Sequence, residues 1–491
     1  MLLHFLNSGV TWSQASPISV SREAVFFYEV PPGESVWDGG FITANVPGVD
    51  IDLRTVRYLN IAYFDSLPNE LTAAINSFNR SRPDARIVAE DWSAYGTSEN
   101  PFAGYDKLLR DMVTGTGSPD ILVGGLADRH IVGAYEQGLY TDLAPFLSAD
   151  GTVNPDNLFG CVKRLFDNGR GGMWGISPNF RTADSLVSVP ELLGEYAGQG
   201  YWTISETLDY IESLPADCAF MSELTQTGLP HLDRGDGYMI FVDREAGTCS
   251  FDDPEFVRWL HFAESLPTPE EYAARSPYAS MNAEELAKLR LDGKIRAAST
   301  GTATVGRLRK LLMEFGTKDW TLIGYPAPVK RAGAGTPVTA EFALMISSAC
   351  ESPELAWDLI RRCFAAEGEQ GGIPALKTSF DKEAERLYEK QFEDYYIPRA
   401  DAQSQSYDRK YADPEKKLKY PGYVSTFNPE DRDKYAAIFD EIGTSPSERG
   451  IPEVRGIIAE ELSSFLGGVG TAEDCAKKIQ SRVSIWLAEH K

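Results

Sequence analysis

The stretch Ser118–Leu147, SPDILVGGLADRHIVGAYEQGLYTDLAPFL, constrains the fold of this chain more than any other. Ile121-Leu122-Val123 is a short, continuous apolar run bounded by Pro119-Asp120 and Gly124-Gly125. A run of that length between turn residues reads as a buried strand. The two glycines stand at its carboxyl end, where the lack of a Cβ lets another group approach the backbone. A loop carrying Asp128-Arg129 leads into a helix that Gly138 stops. Strand, bare turn, then helix is the unit of a parallel α/β sheet, and such sheets bind ligands outside the carboxyl ends of their strands.

Two earlier units share this grammar. Tyr58–Phe64 reads as a strand ended by Asp65-Ser66, which are able to cap a helix. Pro68 suits a first helical turn, and Leu67, Leu71, Ile75 and Phe78 lie on one helical face. Arg86–Glu90 is the next strand, ending in Asp91-Trp92-Ser93-Ala94-Tyr95. Tyr105, Leu108, Leu109 and Met112 mark a second helix that Gly115 stops. Three βα units in succession predict a parallel sheet with right-handed crossovers.

Residues 1–56 read differently. Ala24–Val30 and Phe41–Val46 are strands broken by Pro31-Pro32-Gly33 and Pro47-Gly48. Two strands alone are marginal. They are either the tail of an upstream all-β domain or an addition native to the main domain. Beyond the third βα unit, Phe159–Phe180 is a glycine-rich connector in which Met173–Pro178 forms a short strand, a natural hinge reaching Asn179-Phe180. Further strands are expected at Arg296–Thr300, Trp320–Pro326 and Phe342–Ile346. Helices are expected from Ser205, from Ser352-Pro353-Glu354, and from Thr471, whose Asp474 three residues on makes a near capping box.

The chain of 491 residues is long enough for two or three domains. Its 72 acidic residues against 47 Lys and Arg leave a formal charge of −25, which excludes the basic footprint that nucleic acid requires. The six cysteines lack metal-ligand spacing, so buried free thiols are expected and no metal or cofactor is. His130, His231 and His261 have no ligand-like neighbours in sequence. No apolar run is long enough to span a membrane. Met1–Leu6 lacks the basic region and long apolar core of a signal peptide, and no lipid-attachment Cys follows it. The motifs GxSxG, HExxH, GxxxxGK[ST] and GxGxxG are absent, so no enzyme is expected.

Seven segments, in order, carry a resemblance. They are LNIAYFDSLPNELTAAINSFNRSRPDARI, the Ser118–Leu147 stretch, GGMWGISPNF, YWTISETLDYI, GKIRAASTGTATVGRLRKLL, the block from Ile323 to Phe364, and SRVSIWLAEHK. From Arg57 to Lys491 the chain resembles the extracellular solute-binding proteins of bacterial ABC importers, the sugar-binding branch typified by maltose-binding protein. The resemblance implies an α/β, two-lobe periplasmic-binding-protein-like (Venus flytrap) fold, preceded here by the short N-terminal β segment. Lobe 1 would comprise 57–165 plus 328–385, and lobe 2 would comprise 166–327 plus 386–491. It also implies capture of a carbohydrate, an oligosaccharide, in the inter-lobe cleft by hinge closure. Delivery would go to ABC transporter permease subunits, from a monomeric, extracellular, cell-surface-attached, lipoprotein-like protein.

Sugar recognition needs flat aromatic faces and planar polar groups, and the resemblance sets the candidates. Asp65 and Ser66 either line the cleft, cap the helix, or do both. Trp92 and Tyr95 either stack on ligand or belong to the core. Gly125 leaves room for the ligand. Asp128 and Arg129 fall where sugar-binding members place a hydroxyl-binding acid and base, or form a surface ion pair. Asn179 and Phe180 follow the hinge strand where the family has a ligand-facing aromatic. Trp202 packs. Gly301 and Thr302 end a second-lobe strand that touches ligand. Glu341 and Phe342 replace the family's usual GG-W, a departure at the contacts themselves. A peptide or polyamine ligand, a sensor ectodomain and, less favoured, a glycosidase remain the alternatives.

Overall fold

The computed structural model describes residues 15–20, 25–29, 41–45, 56–100, 102–126, 129–197, 202–226, 238, 241–243, 246–302, 321–324, 326, 336, 338–365, 372–393, 429–443 and 452–490. In chain order its strands are β1 (Ala15–Val20), β2 (Val25–Glu29), β3 (Phe41–Asn45), β4 (Arg57–Tyr63), β5 (Ala85–Asp91), β6 (Ile121–Gly124), β7 (Asn179–Ser188), β8 (Val242–Asp243), β9 (Thr248–Cys249), β10 (Ala298–Thr302), β11 (Thr321–Leu322), β12 (Val338–Thr339), β13 (Ala343–Ile346) and β14 (Ile373–Pro374). The chain divides into two compact units. The first is Met1–Leu158, Phe166–Asn179 and Ala340–Leu376; the second is Phe159–Leu165, Phe180–Thr339 and Lys377–Lys491.

These boundaries differ from the expected 165, 328 and 385, for a local reason. Gly160 lies so close to Asp440 that a Cβ would sit 2.3 Å from the Asp440 carbonyl oxygen. The Gly160 N–H donates to Asp440 Oδ1 (2.8 Å), and Lys377 Nζ reaches Asp440 Oδ2 at 2.7 Å. The helix Pro429–Glu441 therefore draws both Phe159–Leu165 and the chain after Leu376 into the second unit.

The first unit holds a four-stranded sheet in the order β13-β6-β4-β5. β4 runs parallel to β5, from Arg57↔Ala85 to Tyr63↔Asp91, and parallel to β6. β13 runs antiparallel to β6 with Ala343 opposite Gly124. β6 and β13 are buried on both faces, with Ile121, Leu122 and Ala343–Ile346 in the core, while β4 buries Leu59, Ile61 and Ala62 and exposes Tyr58 and Asn60. Helix α1 (Asn69–Ser81) buries Leu71, Ala74, Ile75 and Phe78. Buried Asn79 bonds both backbone groups of Ile87, its Nδ2 donating to the carbonyl (3.3 Å) and its Oδ1 accepting from the N–H (2.8 Å). Asp120 closes the head of the β4–β6 pair in the same way, through the N–H and C=O of Asn60. The turn after α1 is fixed by charge: Asp358 takes Arg82, Arg361 and Arg362.

Two expectations change here. Met173–Pro178 is not a strand. Ile176 and Leu344 exchange a single pair of hydrogen bonds, and pairing stops at Pro178, which has no N–H to donate. The N-terminal segment has three antiparallel strands rather than two, in the order β1-β2-β3. β1 was hidden by Pro17, beside which the ladder register slips between Pro17 and Ser19.

The second unit is built on β7, which pairs antiparallel with β10, β11 and β12. Its core joins Trp202, Trp259, Phe251 and Phe256 to Ile479, Val483 and Leu487 of the last helix. Trp202 packs as expected, 2% exposed against Tyr196 and Tyr210. Thr471 and Asp474 make both bonds of the capping box. Two more boxes start helices: Thr203/Glu206 opens the helix expected from Ser205, and Thr268/Glu271 opens Pro269–Arg275, which the sequence reading did not place. Among the described residues no helix is long and apolar enough to cross a membrane.

Candidate functional site

In the order β13-β6-β4-β5, β5 lies on one side of β4 and β6 on the other. The strand order therefore reverses between β4 and β6, and the crevice outside their carboxyl ends is the place where open α/β sheets take ligands. The residues that follow those two strands are Phe64-Asp65-Ser66 and Gly125.

After β4 the chain turns tightly. The Ser66 N–H donates to the Phe64 carbonyl (2.8 Å), with Asp65 between them at φ 63°. Non-glycine residues rarely adopt that conformation, and those that do cluster at ligand clamps. α1 begins only at Asn69, with Pro68 in the cap position and no side-chain cap. The expected capping role of Asp65-Ser66 is therefore not realised, because the helix starts too late for either residue to stand at its cap. Both side chains are exposed, and neither makes a hydrogen bond among the described residues.

The end of β5 is closed. Asp91 Oδ1 accepts from the N–H and hydroxyl of Ser93 and caps a single 3₁₀ turn, Trp92–Tyr95. Trp92 is only 3% exposed. Helix α2 (Ala103–Thr114) lies directly on it, because a Cβ at Gly104 would meet the Trp92 carbonyl oxygen at 2.1 Å. Lys107 Nζ stands 4.4 Å from the Trp92 ring centroid. The reading of Trp92 as a ligand-stacking face is corrected: it is core. Tyr95 remains 40% exposed, and its hydroxyl donates to Glu90 Oε1 at 2.7 Å. That bond, then partial burial, holds the phenol protonated by raising its pKa. Tyr63, the last residue of β4, is also shifted upward, by burial and by the Asp91 charge.

At the end of β6 the two glycines separate in role. A Cβ on Gly124 would strike Ile131 Cδ1 at 2.6 Å, so Gly124 serves the packing of α3 (Arg129–Glu136). Gly125 is exposed, and a Cβ there would meet nothing within 4 Å among the described residues. Asp128 lies outside the described residues, as does the side chain of Arg129 at the start of α3. The β13–β6 register continues the same edge into Glu341, which is exposed, and Phe342, which is 6% exposed and belongs to the core. Asn179 is buried, and its Nδ2 donates to Glu70 Oε1 (3.2 Å) at the first turn of α1.

Phe180 is a second correction. It is 1% exposed, set edge-on against Phe159 and Phe439 in the second unit's core, and has no face for a ligand. Gly301 and Thr302 close β10, where Thr302 pairs with Thr182; their side chains lie outside the described residues. His261 is held by Glu473 (3.0 Å), while His231 and the side chain of His130 lie outside the described residues. Among the described residues no cluster of His, Cys, Asp or Glu is placed to hold a metal.

The structure also shows an aromatic group that the sequence analysis missed. Phe64 stacks on Tyr105, with centroids 3.7 Å apart and planes at 7°, and Phe102 follows at 6.4 Å with 52% of its surface exposed. The signal was the i,i+3 spacing of Phe102 and Tyr105 at a helix start.

No family model matches the chain, and no curated protein does. Solved structures do show likeness. An extracellular solute-binding protein family 1 from Alicyclobacillus acidocaldarius is 15% identical over 89% of this chain and 100% of its own, with a TM-score of 0.49. The sugar-binding protein MalE from Xanthomonas citri is 13% identical over 88% and 98%, with a TM-score of 0.47. An ABC transporter solute-binding protein from Thermotoga lettingae, bound with α-D-tagatose, is 16% identical over 88% and 100%, with a TM-score of 0.42. At these identities and scores the likeness assigns neither a ligand nor a site residue to this chain.

Proposed function

We propose that this chain is the solute-binding component of an ABC importer and that it captures a carbohydrate, an oligosaccharide, at the carboxyl edge of the first unit's sheet. The observation that carries this reading is the reversal of strand order between β4 and β6, with exposed residues following both strands. There the exposed Asp65 and Ser66, whose side chains make no hydrogen bond among the described residues, follow β4, and Gly125, with no described atom within 4 Å of a Cβ, follows β6. A carboxylate accepts hydrogen bonds from neighbouring sugar hydroxyls, and exposed aromatic surface at Tyr95 and Phe102 suits the C–H side of a sugar ring. Glu341, and Asp128 and Arg129 by the sequence resemblance, belong to the same proposed contact set, as do Asn179, Gly301 and Thr302. Closure on the ligand, an extracellular location, a permease partner and a monomeric state are parts of the same proposal.

The test is a thermal-shift and calorimetry screen over mono- and oligosaccharides, with Asp65→Ala as control. At least one sugar is expected to raise the melting temperature of the unaltered protein, with about tenfold weaker binding in Asp65→Ala. If no sugar does so while a peptide or polyamine does, the carbohydrate reading falls. Small-angle scattering with and without the sugar checks closure. A second reading, a polyamine or cationic peptide, draws support from the two exposed carboxylates Asp65 and Glu341. Such binding would weaken steeply with salt, whereas sugar binding would not.

A further inference from the structure

The second unit has a cavity of its own, about 510 Å³, within the range of small-molecule sites. Its floor is apolar, built from Ile211, Leu214, Phe220 and Met221. Tyr272 forms one wall and is fixed there by donating its hydroxyl to the Ser222 carbonyl (2.7 Å). The polar groups that line the cavity and stay uncommitted are few. Arg275 ends the helix Pro269–Arg275, and its side chain is 80% exposed. Glu271, which also lines the cavity, accepts from the Thr268 N–H through Oε2 (3.1 Å) and forms a long ion pair with Arg275 through Oε1 (3.8 Å), too far for a hydrogen bond, so the guanidinium N–H groups stay open to a closer carboxylate. Tyr278 also lines the cavity, and its hydroxyl makes no hydrogen bond among the described residues. An apolar floor with one guanidinium and one phenol at hand selects a ligand with an apolar body and one anionic end.

We propose that this cavity binds a small amphipathic carboxylic acid. Its aromatic or branched aliphatic body lies on Ile211, Leu214, Phe220 and Met221, and its carboxylate meets Arg275 and the Tyr278 hydroxyl. The assignment is independent of the carbohydrate reading, and sugar binding is expected to survive Arg275→Gln unchanged.

Cys218 supplies a built-in reporter. It lines the cavity, is half-buried, and accepts from Arg296 Nη2 at 3.5 Å. The probe is 4-phenylbutyrate, compared with its uncharged analogue 4-phenylbutanamide. Both are titrated into the full chain by calorimetry, while iodoacetamide alkylation of each cysteine is followed by mass spectrometry. Phenylbutyrate is expected to bind and to slow alkylation of Cys218 several-fold while leaving Cys249 unaffected. The amide, and phenylbutyrate on Arg275→Gln, are expected to bind about tenfold more weakly. Ala216→Trp, at an exposed lining position, is expected to abolish binding with little change in melting temperature. The proposal is overturned if the unaltered protein does not bind phenylbutyrate, or if Cys218 is not protected. It is equally overturned if amide and acid bind alike or Arg275→Gln binds as before. A concentration-dependent dimer that Ala216→Trp abolishes would assign the cavity to a second copy of the chain instead.

Discussion

The ends of β4 and β5 are adjacent in one sheet, in register from Arg57↔Ala85 to Tyr63↔Asp91, yet they come out as opposites. β5 ends in a tryptophan sealed under α2, and β4 ends in an aspartate left open to solvent. The difference is made by what lies above each strand. Gly104 lets α2 descend onto the Trp92 backbone, which removes the indole from any ligand's reach. Over β4 the Asp65 turn and the late start of α1 keep the helix away, and beside it Gly125 adds no side chain. The lesson is that residue type at a strand end does not decide exposure. The small residue on the neighbouring helix does.

The comparison can be broken most forcefully at Trp92. Trp92→Ala should cost about 4 kcal/mol of stability in urea unfolding, because a large buried side chain is removed. The protein that remains folded should keep its sugar affinity within about threefold. A collapse in affinity at near-unaltered stability would show that the β5 end is a ligand face after all. Gly104→Ala tests the same seal from above. Its methyl would meet backbone, which cannot swing aside, so a loss of about 2 kcal/mol is expected by denaturation.

Asp358→Asn probes whether the open end depends on how α1 is anchored at its far end. Burial opposes ionisation of Asp358, but the hydrogen bonds and charges of Arg361 and Arg362 outweigh it and lower its pKa. A carboxylate with a folded pKa below its unfolded value adds stability above the unfolded pKa, and that stability is lost as pH falls through the folded one. The variant should lose about 2 kcal/mol near neutral pH. It should also show a shallower fall in stability below about pH 4, with sugar affinity retained. An unchanged pH profile would remove Asp358 from the account.

Asp65→Gly should separate stability from binding, since glycine relieves the strain at φ 63°. Stability is expected to rise by about 1 kcal/mol while sugar affinity falls about tenfold. The smallest stability effect belongs to Gly125→Val, within about 0.5 kcal/mol, because no atom of the described residues stands within 4 Å of a Cβ there. Its affinity should nonetheless drop if the ligand occupies that space. Unchanged affinity in both variants would move the site off this edge.

Much of the first unit was legible in advance. The strand placed at Tyr58–Phe64, the apolar run Ile121–Val123, the face Leu71/Ile75/Phe78 and the stops at Gly115 and Gly138 appear where the pattern put them. Asp65, Ser66, Tyr95 and Gly125 are exposed at a strand end or in the turn that follows one. Trp92 and Phe180 were misread because an aromatic after a strand has the same local signature whether it stacks on a ligand or closes a core. Met173–Pro178 was misread because an apolar run next to glycines looks like a strand, while Pro178 withholds the N–H that would extend the pairing. Gly124 and Gly125, indistinguishable in sequence, part company only when Ile131 is seen against one of them.

Local sequence determined what depends on local physics: periodicity chose strand or helix, Thr471 and Asp474 set a helix start, and glycines set stops. Tertiary structure alone decided which strand end stays open. That outcome rests on contacts between separate elements, such as Gly104 with Trp92 and Gly124 with Ile131, whose close approach no local pattern encodes.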